Sequence, residues 1–167
     1  MKIFVDSANI EEIEKLIPYV DGVTTNPTLI KEAMKNFKTK VKMDEYIEKI
    51  CKVVGKGKPV SLEVISLTKE KMIKEAEILF NRFNKIANNV VIKIPINTYD
   101  GTTQKNHYIG LDVIKELNSK DIPVNATLIM TPEQAILAAK AGASFASPFT
   151  GRIDDFIRKN VGMNFQK

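Results

Sequence analysis

The sequence predicts an α/β fold in which parallel strands curl into a barrel, and three observations carry that prediction. Short β-like runs alternate with amphipathic helical stretches along all 167 residues, and strands separated by helices imply parallel pairing with right-handed crossovers. Polar residues gather at the carboxyl end of nearly every predicted strand: Asp6, Asn26, Glu63, Lys93, Asn125 with Thr127, and Ser147. In a barrel those ends meet around one pocket, whereas in an open sheet only the ends beside a switch point do so. Glycine-rich dinucleotide and nucleotide loops, the strongest reason to choose an open sheet, are absent.

Taken in order, the first strand is the apolar run Lys2 to Val5. The polar Asp6-Ser-Ala-Asn9 leads into a helix whose apolar positions Ile10, Ile13, Leu16, Ile17 and Val20 recur at helical spacing. The second unit opens with Gly22-Val-Thr-Thr25, turns at Asn26-Pro27 and continues as helical material to about Val54, with Ile47, Ile50 and Val54 on its buried side. After Gly55-Lys-Gly-Lys-Pro59, Val60 to Val64 reads as the third strand. A helix to about Phe83 follows, with Met72, Ala76, Leu79, Phe80 and Phe83 facing inward.

Asn89-Val-Val-Ile-Lys-Ile-Pro95 is the fourth strand. A polar stretch from Asn97 to Asn106, long enough to be functional, separates it from a helix with Leu111, Ile114 and Leu117 on one face. The fifth strand, Val124 to Ile129, ends at Thr131-Pro-Glu-Gln134. There Thr131 suits a helix N-cap, Pro132 the first helical position and Gln134 the return partner of a capping box. That helix stops at Gly142. Ser144 to Ser147 is the sixth strand, and Ile153, Phe156, Ile157 and Val161 mark a sixth helix.

Composition narrows the function classes. With 44% hydrophobic residues and no visible linker, the chain reads as one domain over residues 1–167. The single cysteine, Cys51, shares an apolar helical side with Ile47, Ile50 and Val54, so it reads as core filler. The amino-terminal apolar run is broken at Asp6, too early for a signal peptide, and no segment approaches a membrane span; a cytoplasmic protein is expected. The net charge of +5 is dispersed, densest from Lys35 to Lys42, which reads as a connection between helices. Without aromatic-basic interleaving or a DNA-binding motif it reads as solvated surface, with no nucleic-acid or membrane partner, and its modest positive field suits anionic substrates. His107, the only histidine, sits in a polar stretch with no ligand cluster and reads as a surface residue.

Lys93 is the residue around which chemistry can be built. In the middle of an apolar strand its ammonium is costly unless paired or neutral. A desolvated lysine can add to a carbonyl as an amine nucleophile and form a Schiff base. The alternative is a structural lysine that pairs with a carboxylate or extends its head to solvent.

Four motifs occur together in order: Thr24-Thr-Asn-Pro-Thr28, Val91-Ile-Lys-Ile-Pro95, Asn125-Ala-Thr-Leu128 and Ser147-Pro-Phe-Thr-Gly-Arg-Ile153. With Asp6, they make the chain resemble the small transaldolase family, which includes fructose-6-phosphate aldolases, from residue 2 to about residue 160. The resemblance implies a TIM (β/α)8-type barrel with about six βα units in this chain. It implies that Lys93 forms the Schiff base with a ketose and that Asp6 is the acid/base at the hydroxyl beside the breaking bond. Asp6 could instead be a helix-start carboxylate.

Further roles follow from the same resemblance. Glu63 and Thr127 would hold and polarise the water of imine formation. Asn26 and Asn125, with Thr24 and Ser147, would bind the dihydroxyacetone hydroxyls, and Arg152 would clamp the phosphate unless it pairs with Asp154 or Asp155. Phe149 stands where the aldolase branch has a tyrosine, and Glu63 where that branch has a glutamine. Phenylalanine cannot help protonate an enamine, so transaldolase is favoured over a fructose-6-phosphate aldolase, with a noncatalytic sugar-phosphate-binding fragment as a third reading. No metal or organic cofactor is implied, because the lysine does the electrophilic work.

One departure stands out. The chain stops at Lys167, before the seventh and eighth strands that the resemblance leads one to expect. The expectation is therefore a barrel truncated at its carboxyl end, with an open seam between strands one and six and without phosphate-binding residues beyond Arg152. It would be a fragment, the ordered part of a longer polypeptide or a piece completed by association, and a homo-oligomer is expected.

Overall fold

The computed structural model describes residues 2–36, 41–97 and 108–161. Among them six parallel strands form one sheet in strictly sequential order: β1 (Phe4–Asp6), β2 (Gly22–Thr24), β3 (Val60–Glu63), β4 (Val90–Pro95), β5 (Val124–Ile129) and β6 (Phe145–Pro148). The helices are α1 (Ile10–Leu16), α2 (Pro27–Lys35), α3 (Met43–Val54), α4 (Lys69–Ala87), α5 (Ile109–Asn118), α6 (Pro132–Ala141) and α7 (Thr150–Val161). The sheet curls into a half-barrel. Although β1 and β6 are at opposite edges, the rings of Phe4 and Phe145 meet edge-to-face with centroids 5.2 Å apart. The Lys2 ammonium lies 5.9 Å from the Phe145 ring centre. The seam between these edges holds a cleft of about 590 Å³.

Strand periodicity explains the layering. Val60, Leu62, Ile92, Ile94, Val124 and Ala126 alternate onto one face and join Ile50, Met72, Ala76, Val113, Ile114 and Leu117 of the helices in a continuous core. Burying one such isoleucine contributes roughly 1.5–3 kcal/mol. The opposite face, inside the curl, takes Ser61, Lys93, Asn125 and Thr127, all buried. The six residues of β4 are buried without exception, as expected for a central parallel strand covered on both sides.

Several elements differ from their sequence-based bounds. Among the described residues there are seven helices for six units, because the helical material of the second unit is two helices: α2 ends at Lys35 and α3 begins at Met43, on either side of the expected helix connection. Helix α1 ends at Leu16 rather than reaching Val20, since Pro18 has no N–H to continue the ladder. Helix α4 extends to Ala87 and closes on Asn88 in a left-handed conformation. Strand β1 is shifted toward Asp6, and β6 begins one residue later than expected and includes Pro148. The capping box of α6 forms as expected: Thr131 Oγ1 accepts from the Gln134 N–H, and Gln134 Oε1 accepts from the Thr131 N–H.

Cys51 is fully buried, and that burial, followed by the charge of Glu48, pushes its thiol up to about 12. Helix α7 forms, yet it has no buried residue; Phe156 is 69% exposed and Ile157 and Val161 are exposed beside it. Among the described residues β1 and β6 each pair with one strand, so the expected seam is present. No described helix is long and apolar enough to cross a membrane. His107, most of the polar stretch before it, and residues 37–40 of the basic patch lie outside the described residues.

Candidate active site

Strand register assembles the site. Asp6 pairs with Thr24 and Thr24 with Ser61, while Glu63 pairs with Lys93 and Lys93 with Asn125. Residues directly paired in parallel strands share a face, so these side chains form two steps of one polar inner layer. The chain segments that carry them are far apart in sequence.

Lys93 is 5% exposed. Its Nζ lies 3.6 Å from Glu63 Oε2 and 3.5 Å from the Thr25 carbonyl oxygen. Both separations exceed the 2.7–2.9 Å of a tight charge-assisted hydrogen bond. The amine is therefore held loosely in a largely dry position, with a carboxylate nearby. Burial pushes the Glu63 carboxyl above the ordinary carboxylate range; the Lys93 charge pulls it back down, and the Asp6 charge adds to the rise.

A carboxyl with a folded pKa above its unfolded value contributes stability below the unfolded value and loses that contribution as pH rises through the folded one. The stability of the wild-type protein relative to Glu63→Gln should therefore fall across that window, by at most about 1.4 kcal/mol per pH unit. Urea unfolding of both proteins at several pH values from about 4 to 7 checks this; parallel profiles would show that Glu63 does not titrate with a raised pKa.

Asp6 ends β1 and accepts a hydrogen bond from Thr24 Oγ1 at 2.7 Å. The helix-start alternative for Asp6 does not hold. Asn9 caps α1, its Oδ1 accepting from the N–H groups of Glu11 (3.0 Å) and Glu12 (3.4 Å), and the Ser7 hydroxyl accepts from the Asn9 N–H. Asp6 is thereby left to face the cleft. The capping segment is anchored by Tyr46, whose hydroxyl donates to the Ala8 carbonyl at 2.9 Å.

Asn125 is clamped at both ends of its amide: Ser147 Oγ donates to its Oδ1 at 2.9 Å, and its Nδ2 donates to Ser61 Oγ at 3.2 Å. Ser61 escaped the sequence reading, although it sits two residues before Glu63 and so shares its strand face. Thr127 is fully buried, and its hydroxyl has no hydrogen-bond partner among the described residues. Asn26 does cap work, accepting from the Leu29 N–H at 2.9 Å, which leaves its amide nitrogen as the part a ligand can engage.

Asp6, Thr24, Lys93, Ser147, Phe149 and Arg152 line one cleft of about 440 Å³, closed on one side by the first turn of α7. Arg152 is exposed and pairs with neither Asp154 nor Asp155; Asp154 pairs with Arg158 at 2.8 Å. Its guanidinium can therefore receive an anion. A nucleophilic amine, a facing carboxylate, a row of hydroxyl and amide groups and a cation at the mouth together suit a hydroxylated carbonyl compound carrying an anionic group.

Comparison with known proteins identifies the family. A family model described as Transaldolase/Fructose-6-phosphate aldolase matches residues 3–167. Proteins named "Probable transaldolase" from Clostridium tetani and Aquifex aeolicus are 46% and 45% identical to the chain over 157 residues. These matches cover 93% of the chain but only 63% and 62% of the relatives, so the chain spans less than two thirds of their length. A truncated form of 3-deoxy-D-arabino-heptulosonate 7-phosphate synthase from Thermotoga maritima superposes with a TM-score of 0.55 at 12% identity, covering 89% of this chain and 53% of that one, a likeness of fold alone. On the family match and these relatives, the chain belongs to the transaldolase/fructose-6-phosphate aldolase family.

Proposed function

We propose that this chain carries the Schiff-base site of a transaldolase, which moves a dihydroxyacetone unit between sugar phosphates. The reaction converts sedoheptulose 7-phosphate and glyceraldehyde 3-phosphate into erythrose 4-phosphate and fructose 6-phosphate, a step of the pentose phosphate pathway. The observation that carries the proposal is a buried, loosely paired Lys93 that shares one cleft with Asp6.

The neutral Lys93 amine adds to the ketose carbonyl, and loss of water from the carbinolamine leaves an iminium ion. Asp6 takes the proton of the hydroxyl beside the scissile C–C bond. That bond's electron pair moves onto the iminium nitrogen, releasing the donor's aldose fragment and leaving an enamine. The enamine attacks the acceptor aldehyde, Asp6 returns the proton, and water cleaves the new iminium. Glu63, the carboxylate nearest the amine, has a raised proton affinity that suits proton exchange with the water of the imine steps, a role shared with Thr127.

Thr24 holds Asp6 in place, Asn26, Asn125 and Ser147 bind the dihydroxyacetone hydroxyls, and Arg152 takes the phosphate. Phe149 lines the cleft without a hydroxyl to protonate the enamine, which favours transfer to an aldose over simple aldol cleavage. The test is intact-mass and peptide analysis after fructose 6-phosphate and borohydride. An adduct confined to the Lys93 peptide is expected, with turnover only when an acceptor aldose is added. Product release without an acceptor would instead identify an aldolase, and an unmodified chain would leave a binding fragment.

A further inference from the structure

Three described residues other than glycine have a left-handed backbone: Asn88, Asp121 and Leu128. Asn88 closes α4, and Asp121 turns the chain just after α5, where its N–H donates to the Asn118 carbonyl. Asparagine and aspartate tolerate such positions because their short polar side chains bond locally. Leu128 has no such excuse. With a φ of 58° it sits inside β5, a strained place for a bulky residue.

The strand register shows what the strain accomplishes. Ala126 pairs with Ala146 and Ile129 with Pro148, three steps along β5 against two along β6. One extra residue is thus accommodated, and Thr127 and Leu128 both lie opposite Ser147, a β-bulge. Asn125 faces inward and Ile129 is buried on the helix side, where it lines an apolar groove with Ala135, Pro148 and Ile153. Regular alternation would place Asn125, Thr127 and Ile129 on one face. The bulge allows Asn125 and Thr127 to stay inside while Ile129 goes out. Thr127 is paired in register with Pro95, two residues beyond Lys93, and its buried hydroxyl has no partner among the described residues. A dry, unpartnered hydroxyl is costly, and this one lies on the same inner face of the sheet as the lysine, one residue pair further along.

We propose that Leu128 is a positioning residue: its left-handed backbone holds the Thr127 hydroxyl toward the water lost and regained at Lys93. The proposal rests on the lysine chemistry of the proposed function. It predicts that backbone conformation at residue 128, rather than the leucine side chain, governs imine formation.

The experiment measures the rate of borohydride-trapped adduct formation on the 167-residue chain with fructose 6-phosphate, with circular dichroism confirming the fold of each variant. Leu128→Val, β-branched and poorly suited to a left-handed backbone, should lower the rate by at least about tenfold. Leu128→Gly, which accepts that conformation, should stay within about threefold of wild type. Thr127→Val should fall about as far as Leu128→Val, and the double variant no more than about threefold further, because both changes remove one interaction.

A folded Leu128→Val at the wild-type rate, a tenfold loss in Leu128→Gly, or multiplicative losses in the double variant would each overturn the proposal. If Leu128→Val fails to fold, the Leu128→Gly result alone decides by the same criterion. Absence of trapping in the wild type overturns the proposed function and this positioning role with it, an outcome distinct from trapping that is indifferent to residue 128.

Discussion

Replacing Lys93 with methionine is expected to abolish borohydride trapping and to lower transfer of the dihydroxyacetone unit by at least about a thousandfold, since among the described residues lining the cleft no other carries an amine that could hold the electron pair in the proposed mechanism. Methionine is the informative replacement because it keeps an unbranched chain in a site where the lysine is 5% exposed, so the neighbouring strands need not close a cavity. The change has a second, independent consequence. Lys93 is the principal influence holding down the Glu63 carboxyl against burial, so its loss should raise the Glu63 pKa further. Peptide mapping of the trapped adduct checks the first effect, and carboxyl titration by NMR checks the second. A variant that still forms the adduct at the wild-type rate would remove Lys93 from the mechanism. An unchanged Glu63 titration would show that the two groups are not electrostatically coupled.

The largest expected effect on stability comes from Gly110→Ala, next to the first residue of α5. A β-carbon built at Gly110 would lie 2.4 Å from the Ile96 carbonyl oxygen and 2.5 Å from that of Pro95. Both contacts are with backbone at the end of β4, so relief requires the strand end or the helix to move. Helix propensity alone would make the substitution stabilising by about 1 kcal/mol, so the sign of the measured change is decisive. The expected result is destabilisation by about 3 kcal/mol, seen as a melting point lower by about 6–12 °C in a thermal unfolding experiment. Because the displaced segment begins two residues after Lys93, adduct formation should slow as well. A variant as stable as the wild type would mean that α5 does not approach β4 so closely.

Much of the fold was legible because burial leaves a periodic mark. The apolar run around Lys93 and the capping box at Thr131 and Gln134 appear in the structure as read. The Met72, Ala76 and Phe83 side of α4 is buried as expected. Other features were not legible because local sequence does not encode them. Pro18 cut α1 short despite an apolar pattern that continues to Val20. Ser61 carried no signal by itself: a serine in a strand acquires meaning only when Asn125, 64 residues later, donates to it. The helix-start alternative for Asp6 stayed open from local sequence, and the structure removes it because Asn9 does the capping.

By itself the sequence determined the alternation of strands and helices, the polar residues at the strand ends and the lysine inside an apolar run, since each is written in the chemistry of neighbouring residues. Tertiary structure alone decided which of these meet. Parallel register sets Glu63 beside Lys93 and Lys93 beside Asn125. The curl of the sheet brings Asp6 and Arg152 to one cleft, and the bulge at Leu128 keeps Thr127 inside while Ile129 packs outward. The physical reason is that strand pairing and sheet curvature depend on the packing of the whole core, and a step of one residue in register turns a side chain from the cleft to the helices.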